Sequence, residues 1–244
     1  MDKSEGETVP TEVGTGEDIA SQGALGAVLS FAEARVLGCL LEKEVVTPAA
    51  YPMTLSGLQT ASNQRSSREP LSDFDEDMVS RALEGLREKR LVVKVHLSGS
   101  RAPKYKQTLE NVIHLEDAPR ALICVLLLRG VQTAGELNQR TDRLFSFQSV
   151  DHVETVIQEL MNHPGGPLVR EIPPGNGRRV KSYAQLLSKV DLSPEGGEGR
   201  TAEEIVLQEE ASWRKSLEER VMGLEDEVRS LREELTGLRR ELEG

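Results

Sequence analysis

Aromatic side chains are scarce in this 244-residue chain: Phe, Trp and Tyr together make up 3%, with a single Trp. Hydrophobic residues reach only 37%, so part of the length is read as lying outside any packed core. There are two cysteines, Cys39 and Cys124. Each sits in an apolar helical stretch, which points to buried free thiols and excludes a disulfide framework. The longest apolar run, Ala121 to Leu128 between Arg120 and Arg129, falls far short of the about 20 residues a membrane span needs. Residues Met1 to Thr8 lack a cationic region followed by an apolar one, so no secretory signal is read and a cytoplasmic location is expected. Catalytic patterns are missing too. His96, His114, His152 and His163 fall in four separate elements without metal-ligand spacing, and no Cys-x-x-Cys occurs. Gly165-Gly166 is a turn between prolines, and the Asp73, Asp75, Glu76 and Asp77 cluster lacks calcium-loop spacing. The expectation is a protein that is not an enzyme, with no catalytic residues, no metal, no cofactor and no membrane span.

What is present begins with charge: 30 Lys and Arg against 41 Asp and Glu, a net −11. Spread evenly, that charge would oppose nucleic acids and anionic membranes. It is not spread evenly. Residues 1–29 hold Lys3 against Asp2, Glu5, Glu7, Glu12, Glu17 and Asp18. Residues 30–188 hold 20 basic and 19 acidic side chains, and residues 189–244 hold 9 and 16. The acidity therefore belongs to the two tails. Residues 1–29 read as a disordered acidic tail, and residues 189–200, with Ser193 to Gly199, as a flexible linker.

Between the tails one pattern occurs twice. Phe31, Ala34, Val36, Leu37, Leu40 and Leu41 recur at helical spacing, with Ser30 and Glu33 placed as a capping box. A second helix is expected from about Thr54 to Gln64, and a third from about Asp75 to Arg90 with Met78, Val79, Ala82, Leu83 and Leu86 inside. Leu91 to Leu97 alternates as a strand, and Lys104 to Thr108 returns as its partner. The order then repeats: helices Asp117 to Arg129, Thr133 to Arg143 and Ser149 to Asn162, then strands Leu168 to Ile172 and Val180 to Gln185. Gly99, Arg101, Tyr105 and Gln107 match Gly177, Arg179, Tyr183 and Gln185 in one frame. Two units of three helices and a hairpin make a mainly α, α+β chain: two tandem winged-helix domains at residues 30–110 and 115–188. Each hairpin tyrosine either packs its ring on the third helix or offers it for base stacking.

Several strings resemble a known family. Glu33 to Lys43, Thr47-Pro48, Tyr51-Pro52, Asn63-Gln64 and Arg68-Glu69-Pro70 are similar to the bacterial YceH-like family, as are Leu128 to Leu137 with Arg140. The resemblance covers about residues 29–187 and implies a tandem winged-helix fold without implying an activity. The two tails lie outside it.

A winged-helix protein usually reads DNA with its third helix. Here those helices expose acid: Asp73 to Asp77 in the first, and Asp151, Glu154 and Glu159 in the second. Groove insertion is therefore disfavoured. The candidate nucleic-acid contacts lie elsewhere: Asn63, Gln64, Arg65 and Arg68 in one loop, Lys94, Arg101, Lys104 and Lys106 in the first hairpin, and Arg178, Arg179 and Lys181 in the second. Wing cations touch phosphates without reading sequence. Arg68 beside Glu69-Pro70 also fits a structural arginine–carboxylate clamp.

Residues 201–244 carry a heptad seam, Leu217, Val221, Leu224, Val228, Leu231, Leu235, Leu238 and Leu242, spaced alternately by four and three. Branched Val221 and Val228 at a, with Leu at d, favour a parallel two-stranded coiled coil. The pairs Arg220–Glu225, Glu227–Arg232 and Glu234–Arg239 would then be opposite in sign across the seam. The expectation is a cytoplasmic homodimer, DNA-binding and regulator-like. Its rival is a protein–protein interaction module whose acidic third helices dock a basic partner. Folding of the seam back onto its own chain is the alternative to the dimer.

Overall fold

Ser30 begins the first helix as the sequence pattern predicts. Its Oγ accepts from Glu33 N at 3.2 Å while Glu33 Oε2 accepts from Ser30 N at 2.7 Å, satisfying two donors at the open end of α1 (Phe31–Val46). The computed structural model describes residues 28–97, 102–174, 180–188 and 202–243. They divide into two bodies, within Met1–Gly199 and Arg200–Gly244. Residues 1–27 of the expected acidic tail, the linker, and Arg101, Arg178 and Arg179 lie outside the described residues, whereas Leu29, the last residue assigned to that tail, is buried.

After a 3₁₀ turn at Pro48–Ala50 comes a two-residue strand, β1 (Met53–Thr54), that periodicity does not announce. Thr54 then caps α2 (Leu55–Ser62) by accepting from Gly57 N at 3.1 Å. Asp75 caps α3 (Glu76–Glu88), which buries Val79, Ala82, Leu83 and Leu86, whereas Met78 is only half-buried. Strands β2 (Val92–Val95) and β3 (Lys104–Gln107) pair antiparallel, and β1 joins the other side of β3 through Met53↔Tyr105. The sheet order is β1-β3-β2. As an edge strand, β2 exposes both Val93 and Lys94, so the alternation expected over Leu91 to Leu97 holds only in part.

The second half repeats this plan with α4 (Asp117–Arg129), α5 (Ala134–Arg140), α6 (Val150–Met161), β4 (Val169–Ile172) and β5 (Ser182–Gln185). α5 stops three residues before the expected Arg143. Thr141 Oγ1 bonds back to Leu137 O at 2.7 Å, and Leu144 N and Phe145 N both turn onto Thr141 O.

The hairpin signature has one job in both repeats. Tyr105 pairs with Met53, and Tyr183 makes a bridge to Gln132; Met53 and Gln132 each precede a threonine N-cap. Gln107 Oε1 accepts from Leu109 N at 2.8 Å, and Gln185 Oε1 accepts from Leu187 N at 2.7 Å. Tyrosine thus fastens the strand to the cap of the second helix, and glutamine closes the turn after the hairpin. Both rings are buried, at 8% and 0% exposure, which leaves neither face open for base stacking.

The repeats join through α1 and α4. Cys124 Sγ donates to Gly38 O at 3.4 Å, and a Cβ on Gly38 would come within 2.9 Å of the Leu128 side chain, so the helices approach closely there. Leu29 N donates to Leu187 O at 2.8 Å, tying the start of the first repeat to the end of the second. The other body is one helix, α7 (Ala202–Glu243), roughly 63 Å long at 1.5 Å per residue.

Candidate nucleic-acid interface

The loop between α2 and α3 turns most of its predicted contact residues inward. Asn63 Nδ2 donates to Phe74 O, and Phe74 N donates to Asn63 Oδ1, both at 2.8 Å. Arg68 is 4% exposed. Its Nε donates to Ala61 O at 2.9 Å, its Nη1 to Ser67 O at 2.8 Å, and its Nη2 to Glu42 Oε2 at 2.7 Å. Gln64 Oε1 accepts from Arg68 Nη2 at 3.1 Å. The clamp reading of Arg68 is the one the geometry supports, with Glu42 rather than Glu69 as the carboxylate. Arg68 and Asn63 therefore have no free face for a phosphate, and only Arg65 of this set stands exposed.

Burial pushes the Glu42 carboxyl up, but the hydrogen bonds and charge of Arg68, joined by Lys43, outweigh it and hold it below the usual carboxylate range. A second guanidinium holds the same loop. Arg35, at 0% exposure, donates to Ser72 Oγ at 2.9 Å, Pro70 O at 2.7 Å and Ser62 O at 3.3 Å, and lies over the Phe31 ring. Burial pulls its pKa down to about 10, so it stays charged at neutral pH. Sequence reasoning missed both Arg35 and Glu42, because an arginine inside an apolar helical pattern looks like a position on its polar face.

In the first hairpin the register sorts the cations by face. Lys106 lies opposite Val93 and Lys104 opposite Val95, whereas Lys94 lies opposite the buried Tyr105. Directly opposed residues share a face and neighbours alternate. Lys104 and Lys106 therefore point to the outer face and Lys94 to the other. Lys106 and Lys94 are exposed and Lys104 is half-buried, and none has an ion-pair partner among the described residues. In the second hairpin, Lys181 lies 3.5 Å from Glu154 and 3.6 Å from Glu171, long and partly solvated pairs that offset its charge but hold it weakly.

Burial pushes the Cys39 and Cys124 thiols up, suppressing thiolate chemistry. Among the described residues, no group of three His, Cys, Asp or Glu side chains is placed to hold a metal ion. No described helix is long and apolar enough to cross a membrane.

Residues 29–178 match the family model described as "Protein of unknown function, DUF480". A UPF0502 protein of Shewanella baltica (strain OS155 / ATCC BAA-1091) is 41% identical over 182 residues, 73% of this chain and 81% of that protein. A UPF0502 protein of Vibrio atlanticus is 43% identical over 173 residues, 69% of this chain and 79% of its own. One from Photobacterium profundum is 45% identical over 165 residues, 66% and 74% of the two chains.

Proposed function

This chain belongs to the DUF480 family, and from its topology, its wing cations and its heptad seam we propose a cytoplasmic, DNA-binding, regulator-like protein built of two winged helices and paired by its C-terminal helix. The topology supports the winged-helix reading. Three helices precede an antiparallel hairpin, and a short strand before the second helix joins that hairpin in the order β1-β3-β2. The observation that carries the DNA reading is the outer face of β3, where Lys104 and Lys106 present two uncommitted cations on a hairpin. Such groups fix a duplex by its phosphates without reading bases. The acidic first turn of α3, with Asp73, Asp75, Glu76 and Asp77 exposed, keeps that helix out of the groove.

Pairing of two chains follows from the seam of α7. Val221, Leu224, Val228 and Leu231 are 44%, 54%, 46% and 52% exposed in the single chain. For Leu217, Leu235, Leu238 and Leu242 the heptad spacing alone places them on the same stripe. A parallel second copy covers that stripe and sets Glu227 against Arg232.

The test is duplex binding by the full chain across a salt series. Changing Lys104 and Lys106 to Ala should weaken binding and lower the salt slope by about 2 per protomer. Absence of salt-dependent binding by micromolar protein at low salt would sink the DNA reading. It would then favour the rival, in which the exposed acidic turn of α3 docks a basic protein. Sedimentation tests the pairing: Leu224→Asp with Val228→Asp should give monomers, and a wild-type monomer at micromolar concentration removes the dimer.

A further inference from the structure

The loop after α2 and the loop after α5 meet at the joint between the repeats, and arginines gather there. Arg129 ends α4, Arg140 ends α5, and Arg143 follows in the next turn. Together with Glu42, Ser67 and apolar side chains that include Val125, Leu128 and Leu144, they line one cleft. Three carboxylates stand close by. Glu42 is taken by Arg68 at 2.7 Å and Lys43 at 3.1 Å. Glu69 and Glu136 approach Arg140 at 3.6 and 3.4 Å and both are well exposed, Glu136 also accepting from Thr133 N at 2.9 Å as part of its capping box. Such long, solvated pairs hold a guanidinium weakly. The Gln132 side-chain oxygen also accepts from Arg140. Among the described residues neither Arg129 nor Arg143 has a carboxylate within 4 Å, although the charges of Glu69 and Glu42 partly offset that of Arg140 at Arg129. The wall thus carries three arginines against one carboxylate, Glu42, which Arg68 and Lys43 already pair.

We propose that this cleft binds a phosphate group, its oxygens taken by the guanidiniums of Arg129, Arg140 and Arg143. A planar guanidinium offers two parallel donors to a phosphate, and apolar walls strengthen the pairing by excluding water. Burial and the neighbouring Arg140 charge both disfavour the cationic form of Arg129, and an anion in the cleft relieves this. The phosphate belongs either to a nucleic-acid backbone crossing the joint or to a small phosphate compound. The cleft is separate from the wing lysines and does not depend on them.

The experiment is thermal unfolding of the full chain in inorganic phosphate against chloride at equal ionic strength. About 10 mM phosphate should raise the midpoint of the wild-type chain, and of the Lys104→Ala/Lys106→Ala chain, by about 3 °C. Arg143 is exposed, so Arg143→Ala should leave the midpoint in chloride within about 1 °C and lose most of the phosphate rise. Arg129→Ala should lose it as well. An equal rise in wild-type, Arg129→Ala and Arg143→Ala chains would show only general salt stabilisation and overturn the site, as would no rise at all.

Duplex binding by Arg143→Ala separates the sources. A loss of about tenfold assigns the phosphate to the nucleic-acid backbone. Unchanged duplex binding with the phosphate rise abolished assigns it to a small compound. Failure of the wild-type chain to bind any duplex overturns the wing reading and leaves the phosphate result standing.

Discussion

The two loops between second and third helices solve one problem with opposite chemistry. In the first repeat the loop runs from Asn63 to Asp75 and turns several carbonyls inward. Arg35 and Arg68 bridge the loop to the end of α2, taking Ser67 O and Pro70 O from the loop and Ala61 O and Ser62 O from the helix. In the second repeat the loop from Thr141 to Ser149 is shorter. Its backbone closes on itself through Leu144 N and Phe145 N onto Thr141 O. Rings fill the space that remains, with Phe145 and Phe147 at 4.8 Å and Phe147 and His152 at 5.2 Å between centroids. A long loop leaves more acceptors than its own amides can reach, and a buried guanidinium with five donors supplies the deficit. A short loop needs only volume. Two copies of one scaffold can therefore diverge in polarity where their loops diverge in length.

The largest expected effects test that contrast directly. Arg35→Met keeps bulk and removes donors, so it should cost about 3 kcal/mol by leaving Pro70 O unpaired and Ser62 O with the Ser72 hydroxyl alone. Phe147→Leu keeps apolar volume and should cost about 1 kcal/mol. Equal losses in urea denaturation would erase the distinction between polar and apolar fastening.

A middling effect comes from the Arg68 clamp. Glu42→Gln leaves the buried Arg68 charge without its counter-ion and should cost about 2 kcal/mol at neutral pH. The folded carboxyl sits below its ordinary value of 4.5. Its contribution is therefore present above about pH 4.5 and drains away as pH falls through the folded pKa. The variant should show a flatter decline than wild type below that pH, and parallel curves would remove Glu42 from the clamp.

The smallest effects test what the repeats share. Gln107→Ala loses the bonds to Leu109 N and Glu44, Gln185→Ala those to Leu187 N, Ser188 N and Ser188 Oγ, and each should cost about 1 kcal/mol. A difference of more than about 1 kcal/mol between them would mean that the matched glutamines do unequal work.

Legibility in the sequence followed range. Ser30 with Glu33 and the Tyr-x-Gln spacing are local, and each appears in the structure at the expected residue. Strand β1 was not legible, because two residues carry no periodicity and Met53 becomes a strand only by meeting Tyr105. Arg68 and Lys181 were read as phosphate contacts, but their carboxylate partners come from elsewhere: Glu42 lies 26 positions before Arg68, and Glu154 on a neighbouring helix. The Arg129, Arg140 and Arg143 cleft was equally hidden, since α4, α5 and the following loop converge only after packing.

Apolar period, caps and turn residues were enough to set the helices, the hairpins and their duplication, because those signals act within a few residues of chain. The opposing charges of tails and core were also plain from composition alone. Which cations remain free was settled by packing. A guanidinium becomes a strut or a ligand according to the carbonyls and carboxylates that folding brings within about 3 Å of it, and distance along the chain does not encode that.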